Sequence, residues 1–172
     1  MNATRLAAGT ILLTACAGVS NADVSATITA TSDYNFRGMT QTAQDPALQF
    51  GLDWEGESGL YAGFWASNVD FGVCDDGGEG GSPIDCDSDV ETNFILGYSG
   101  SFTEDLAYDV GGVYYKYLDD GDDIDYYELH AGLSYSIVSG AFWYSPDYLN
   151  SSDSSWYGDL NAEDGLGFWD LG

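Results

Sequence analysis

Residues Ile124–Val138 read IDYYELHAGLSYSIV, and the parity of that stretch decides the fold. Tyr127, Leu129, Ala131, Leu133, Tyr135 and Ile137 fall on one face of an extended chain, and Tyr126, Glu128, His130, Gly132, Ser134 and Ser136 on the other. A period of two is the mark of a strand, whose successive side chains point to opposite faces. An apolar face backed by a polar one is what a membrane-barrel strand needs, with lipid outside and a polar interior within.

The alternation recurs on both sides of this stretch. Val24–Phe36 puts Val24, Ala26, Ile28, Ala30, Tyr34 and Phe36 on one face, the aromatic pair suiting an interfacial belt. Ala47–Glu55 sets Leu48, Phe50, Leu52 and Trp54 against Gln49, Gly51 and Asp53. Gly59–Val69 is apolar on both faces, so its orientation stays open. Val90–Gly100 sets Phe94, Leu96 and Tyr98 against Glu91 and Asn93. In Leu106–Tyr117 the apolar parity changes after Gly111-Gly112, from Leu106, Tyr108 and Val110 to Val113, Tyr115 and Tyr117. That predicts a bulge at the glycines, which would keep Lys116 inside. Ser139-Gly140 reads as a turn into Ala141–Ser145, and a short, poorly formed strand begins at Ser155.

Connections between these runs alternate long and short, as in barrels with long outer loops and short periplasmic turns. The fold expectation is all-β: an antiparallel up-and-down transmembrane β-barrel with about eight strands present, possible further strands lying beyond them.

Composition excludes other classes. Lys plus Arg is 3 against 29 Asp plus Glu, a net charge of -26, which removes nucleic acid as a partner. Hydrophobic residues at 44% and aromatics at 15% exclude a disordered acidic tail. The acidity also suits a salty habitat. Residues 1–22 read as a signal peptide: Arg5, an apolar stretch Leu6–Val19, and small residues at Ser20-Asn21-Ala22. A cut after Ala22 is favoured. Leu13-Thr14-Ala15-Cys16 resembles a lipobox and offers the alternative of a lipidated Cys16. Residues 23–172 are then one barrel domain, with 158–172 an atypical tail that alternates poorly. Cys74 and Cys86, flanking a turn-rich acidic loop in an exported chain, read as a disulfide.

Some residues carry a closer resemblance. Ser32-Asp33-Tyr34, Phe36-Arg37-Gly38, Gln41-Thr42, Asp45-Pro46-Ala47, Ser58–Gly63, Trp65 and Ser67–Phe71 open the chain in the manner of one family, and Tyr144–Tyr148 with Trp156-Tyr157 continue it. Across roughly residues 23–158 the sequence resembles the TorF-type family of inferred porins, conserved outer-membrane proteins of Gram-negative bacteria. The resemblance implies passive passage of small solutes at the cell outer membrane. It also marks this chain as a C-terminally truncated member, because family members carry further strands.

Candidate site residues follow from the inward parity. Asp33, Arg37, Asp53, Glu91, Lys116, Glu128 and His130 are the pore-lining candidates, and their surplus of acids predicts cation preference. A cation buried inside a barrel needs a carboxylate, so Arg37 and Lys116 are read first as pinning ion pairs and second as a charged constriction. His130 beside Glu128, Ser134 and Ser136 suggests a hydrolase, but no nucleophile motif accompanies it, and the expectation is no enzyme. Asp85-Cys86-Asp87-Ser88-Asp89 begins like a calcium loop, yet Val90 replaces its glycine and Leu96 its closing glutamate. No metal site and no cofactor are expected, beyond loose divalent cations at the acidic loops. The expected partners are outer-membrane lipid, lipopolysaccharide and small solutes. The alternative function is a non-conducting surface barrel, structural or adhesive, working through its acidic loops.

Overall fold

The computed structural model describes residues 11–19, 22–70, 89–118 and 124–162, the first of these segments as backbone. Nine strands form one antiparallel sheet: β1 (Ile11–Val19), β2 (Ala22–Thr31), β5 (Ala47–Gly56), β6 (Leu60–Asn68), β7 (Val90–Ser101), β8 (Leu106–Leu118), β9 (Tyr126–Tyr135), β10 (Val138–Ser145) and β11 (Ser155–Ala162). Between β2 and β5 lies a small separate hairpin, β3 (Asn35–Phe36) and β4 (Met39–Thr40). In the main sheet each strand pairs with its neighbour in chain order. Local hairpins of alternating residues zip in sequence, and each buries part of one face on the next.

Among the described residues β1 and β11 are the two edges, so the sheet is a curled meander and not a closed barrel. The described part of the apolar stretch expected in an export signal, Ile11–Val19, is β1, paired with β2 from Ile11↔Ala30 to Val19↔Ala22. The Cys74–Cys86 bridge, the Asp85–Asp89 motif apart from Asp89, the acidic run 119–123 and the tail 163–172 lie outside the described residues.

The outer face is apolar and exposed. Leu48, Leu96 and Leu133 are 63%, 61% and 57% accessible, and Phe50, Leu52, Phe94, Val110, Leu129 and Phe142 join them. Gly59 makes the tight β5–β6 turn possible. Its φ is +91°, and a Cβ there would sit 2.1 Å from the Ser99 carbonyl.

Four expectations change. The run Val24–Phe36 breaks after Thr31, and Tyr34 and Phe36 turn inward: Tyr34 packs on Trp65 at 5.2 Å and Phe36 on Tyr115 at 6.0 Å. Gly59–Val69 is now oriented, with Leu60 exposed on the outer face and Tyr61 bonded to groups inside. No bulge occurs at Gly111-Gly112, because the β7–β8 register runs unbroken from Val90↔Leu118 to Ser101↔Ala107. Val113, Tyr115 and Tyr117 are therefore inside, and Lys116 shares the outer parity of Val110 and Tyr114. The turn after β9 is Ser136-Ile137, with Ser136 at φ 53°, while Ser139 and Gly140 are strand residues of β10.

Candidate functional site

The inner face has two parts, and the long segment 32–46 divides them. This segment does not project outward. Asp33 gathers it from within: Asn35 Nδ2 donates to Oδ2 at 2.8 Å, and the Thr40 hydroxyl to Oδ1 at 2.6 Å. The Thr42 hydroxyl donates to the Asp45 carbonyl at 2.7 Å, and Thr42 is fully buried. Arg37-Gly38 forms the tip of the β3–β4 hairpin, with φ of 50° and 84°. Two positive φ values suit the right-handed twist of a two-residue hairpin, a conformation that costs arginine roughly 1–2 kcal/mol.

The Arg37 side chain offsets that cost. Its Nη1 and Nη2 donate to Glu128 Oε1 and Oε2 at 2.7 and 2.8 Å, a bidentate pair on β9. Arg37 and Glu128 are 15% and 2% exposed. The guanidinium lies 4.6 Å from the Phe36 ring centre and 4.3 Å from that of Tyr157. Burial works against its charge, but Glu128 more than compensates and holds the guanidinium above its ordinary value. Tyr115 donates to Glu128 Oε2 at 3.1 Å and stacks on Tyr126 at 4.5 Å. Val113, Tyr117 and Ile124 complete this aromatic plug, with Tyr148 and Leu149 against it. Beside it, Glu91 is 1% exposed and accepts from Asn93 Nδ2 at 2.8 Å and from Tyr34 at 3.4 Å. Burial, then the Glu91 carboxylate, push the Tyr34 phenol well up, so it stays a donor.

Below the plug the interior opens. A cavity of about 340 Å³ is lined by Thr27, Gln49, Asp53, Trp65 and Asn93 among others. A second, of about 410 Å³, is lined by Tyr61, Asp109, His130, Trp143 and Asp159. One cross-strand row builds its roof: Tyr61↔Gly97, Gly97↔Gly111, Gly111↔His130 and His130↔Trp143 are successive partners. A Cβ on Gly97 would lie 2.1 Å from the Tyr61 hydroxyl, and one on Gly111 2.7 Å from His130 Cε1. The two glycines thus let Tyr61 and His130 lie across their neighbours and meet. Tyr61 donates to Asp109 Oδ1 at 3.1 Å, His130 Nε2 bonds the same oxygen, and the His130 ring lies 4.4 Å from Trp143. Among the described residues His130 Nδ1 is buried without a partner.

The predicted residues are thus brought together only in part. Arg37 and Glu128 pair. Glu91 and His130 face inward, each with other partners. Asp53 lines the first cavity, and Asp33 organises the inward segment. Lys116 leaves the set: it lies on the outer parity and reaches Asp125 Oδ2 at 3.1 Å. Tyr61, Asp109, Trp143 and Asp159 were not anticipated. Asp109 would have been found by keeping a single parity through β8. Among the described residues no three His, Cys, Asp or Glu side chains converge on a metal position, and no serine hydroxyl bonds His130.

An antiparallel meander with an apolar exterior and a polar, aromatic-plugged interior defines the class of protein. The chain belongs to a bacterial family of unknown function, Gcw_chp, whose model matches residues 15–172. No curated protein and no solved structure matches it.

Proposed function

We propose that this chain is an outer-membrane β-barrel of the porin kind, passing small solutes by diffusion with a preference for cations. One observation carries the reading: the sheet turns its large apolar side chains out and its carboxylates in. Leu48, Leu96 and Leu133 are more than half exposed. An apolar surface of this extent fits lipid better than water. Aromatic residues stand toward both ends of the strands, Tyr98, Phe102 and Tyr135 at the short turns and Tyr114, Tyr127 and Trp156 at the long loops, as interfacial girdles do. Strands β2 and β5–β9, of 9 to 13 residues, are long enough to span. The resemblance to TorF-type porins points the same way. Spanning requires both sheet edges to be paired, since open edges leave polar backbone in hydrocarbon.

Export through residues 1–22, whose cleavage removes β1 and leaves β2 as the sheet's edge, and contact with lipopolysaccharide belong to this reading, as does the absence of enzymatic chemistry. With a net charge of -26, the interior and mouth concentrate cations. The test is the reversal potential across a planar bilayer under a salt gradient. A cation-selective potential that weakens between about 0.1 and 1 M salt is expected, as the Debye length falls from about 10 to 3 Å. An anion-selective potential contradicts the proposal.

The packing of Arg37, Glu128 and the tyrosines favours a second reading, a non-conducting surface barrel. Absence of conductance in both the native protein and Arg37→Ala would select it.

A further inference from the structure

The edges of β2 and β11 are matched to each other, and β1 stands between them. We propose that β1 occupies the edge of β2 on which β11 closes the sheet, so that removal of residues 1–22 is the step that lets the barrel shut. The inference rests on the membrane-barrel reading and deepens it by naming the partner of each edge. It holds whether or not the interior conducts.

Strand parity sets which edges can meet. In a meander of antiparallel pairs, strands an odd number of places apart run in opposite directions. β2 and β11 are seven places apart in the sheet order, and β1 and β11 are eight. β11 therefore meets β2 antiparallel, as the other neighbours in the sheet meet, but would meet β1 parallel. Bacterial single-chain barrels close with an even number of antiparallel strands. The eight strands β2 and β5–β11 satisfy that rule, and the nine that include β1 do not. In the structure β1 covers β2 from Ala22 to Ala30, and among the described residues nothing pairs with the far edge of β11.

The sheet is already curled toward that pairing. The segment that leaves β2 crosses the interior and touches four strands in turn. Tyr34 meets Glu91 of β7, Phe36 meets Tyr115 of β8, and Arg37 meets Glu128 of β9 and the Tyr157 ring of β11. In a flat sheet seven strand spacings would hold β2 and β11 about 34 Å apart. Arg37 stands six residues beyond Thr31, the end of β2, and six residues reach at most about 21 Å when extended. The contact of Arg37 with Tyr157 at 4.3 Å therefore requires strong curl.

The faces match as well. Thr27 and Thr29 of β2 line the first cavity and Asp159 of β11 the second, while Ile28, Trp156 and Leu160 are exposed outside. Zipping β2 to β11 keeps polar side chains in and apolar ones out. Open edges leave polar backbone in hydrocarbon, so lipid favours the closed form.

The experiment folds the full chain into phospholipid vesicles and reads closure by a disulfide across the new seam. Cys16, Cys74 and Cys86 are first replaced by serine. Thr27→Cys is then combined in turn with Tyr157→Cys, Asp159→Cys and Asn161→Cys, β11 positions that share the inner parity. Directly opposed strand residues have Cβ atoms about 4.5–5.5 Å apart, so oxidation traps the seam. Before cutting, no pair should link. After removal of residues 1–22 by signal peptidase, a pair should link within a single chain, seen as a change in gel mobility that reductant reverses. Thr14→Pro with Ala17→Pro, one on each parity of β1, should give the same link in the uncut chain, because proline cannot donate to the β2 ladder. Circular dichroism checks that each variant is folded. Equal linking in cut and uncut chains would overturn the role of β1. A dimer band would make a second copy the partner and overturn closure within the chain, as would the absence of any link in folded, cut protein. Alkaline extraction keeps the two readings apart. Cut protein that resists extraction yet never links removes the closure and keeps the membrane barrel. Protein that is extracted from the vesicles removes the membrane reading and the closure with it.

Discussion

Strand β8 crosses both halves of the interior, and its inner face changes character on the way. Asp109 lines a cavity, Val113 borders both that cavity and the plug, and Tyr115 and Tyr117 belong to the packed aromatic plug. The strand itself is continuous through this change. The difference comes from what lies opposite. At the long-loop end the segment 32–46 folds in and delivers Phe36 and Arg37, so the inner side chains there are mainly aromatic, with Glu91 and Glu128 buried and bonded among them. Lower down no other described segment covers the face, and glycine, carboxylate and histidine remain. An inner face is therefore not one environment, and polarity along a strand reports what sits across from it.

The sharpest way to break this comparison is to cut the plug's ion pair. Arg37→Ala leaves Glu128, at 2% exposure, without its cation. Such a loss costs about 3–5 kcal/mol, read as a shift in urea unfolding from liposomes. Replacing both partners, Arg37→Met with Glu128→Leu, should recover most of it. A cost near that of a surface pair, below about 1 kcal/mol, would mean that the plug is wet and the two halves are alike.

The outer face supplies the next contrast. Leu133→Arg should cost about 2–4 kcal/mol in lipid if the site lies near mid-membrane, and Ser134→Arg distinctly less. The reverse ranking would show that the inner and outer faces are exchanged.

The open half depends on glycine for room. Gly97→Ala places a methyl group where the Tyr61 hydroxyl lies and should cost about 1–3 kcal/mol. Tyr61→Ala in the same chain should relieve the strain, giving strongly non-additive energies in a double-mutant cycle. Additive losses would separate Gly97 from Tyr61. The smallest effect is expected at Asp53, an exposed acid in the first cavity, where Asp53→Asn should stay within about 0.5 kcal/mol.

Much of the fold was legible in residues alone. Alternation in Ala47–Glu55, Val90–Gly100 and Ile124–Tyr135 named strands and their outward faces, because a pleated chain with one apolar side has one stable way to lie. The carboxylate partner required by Arg37 was legible too, as Glu128 was among the few acids on an inward parity. Other features were hidden. Phe36 continued the apolar parity of β2, and nothing local signalled that Asp33 and Thr42 would gather the segment inward. Gly111-Gly112 imitated a bulge, because a parity change in sequence is the same whether the strand kinks or its surroundings change. Gly140 imitated a turn, and only the register put it in β10.

Sequence by itself determined most of the strands, β1 and the β3–β4 hairpin excepted, that they form hairpins in order, and which face of most of them is apolar. Those properties depend on residues one or two positions apart. Tertiary structure alone decided that segment 32–46 plugs one end, that Lys116 faces outward, and that Tyr61, Asp109 and His130 meet. These residues are 21 to 69 positions apart. The curl of the whole sheet brings them together, and no local pattern encodes that curl.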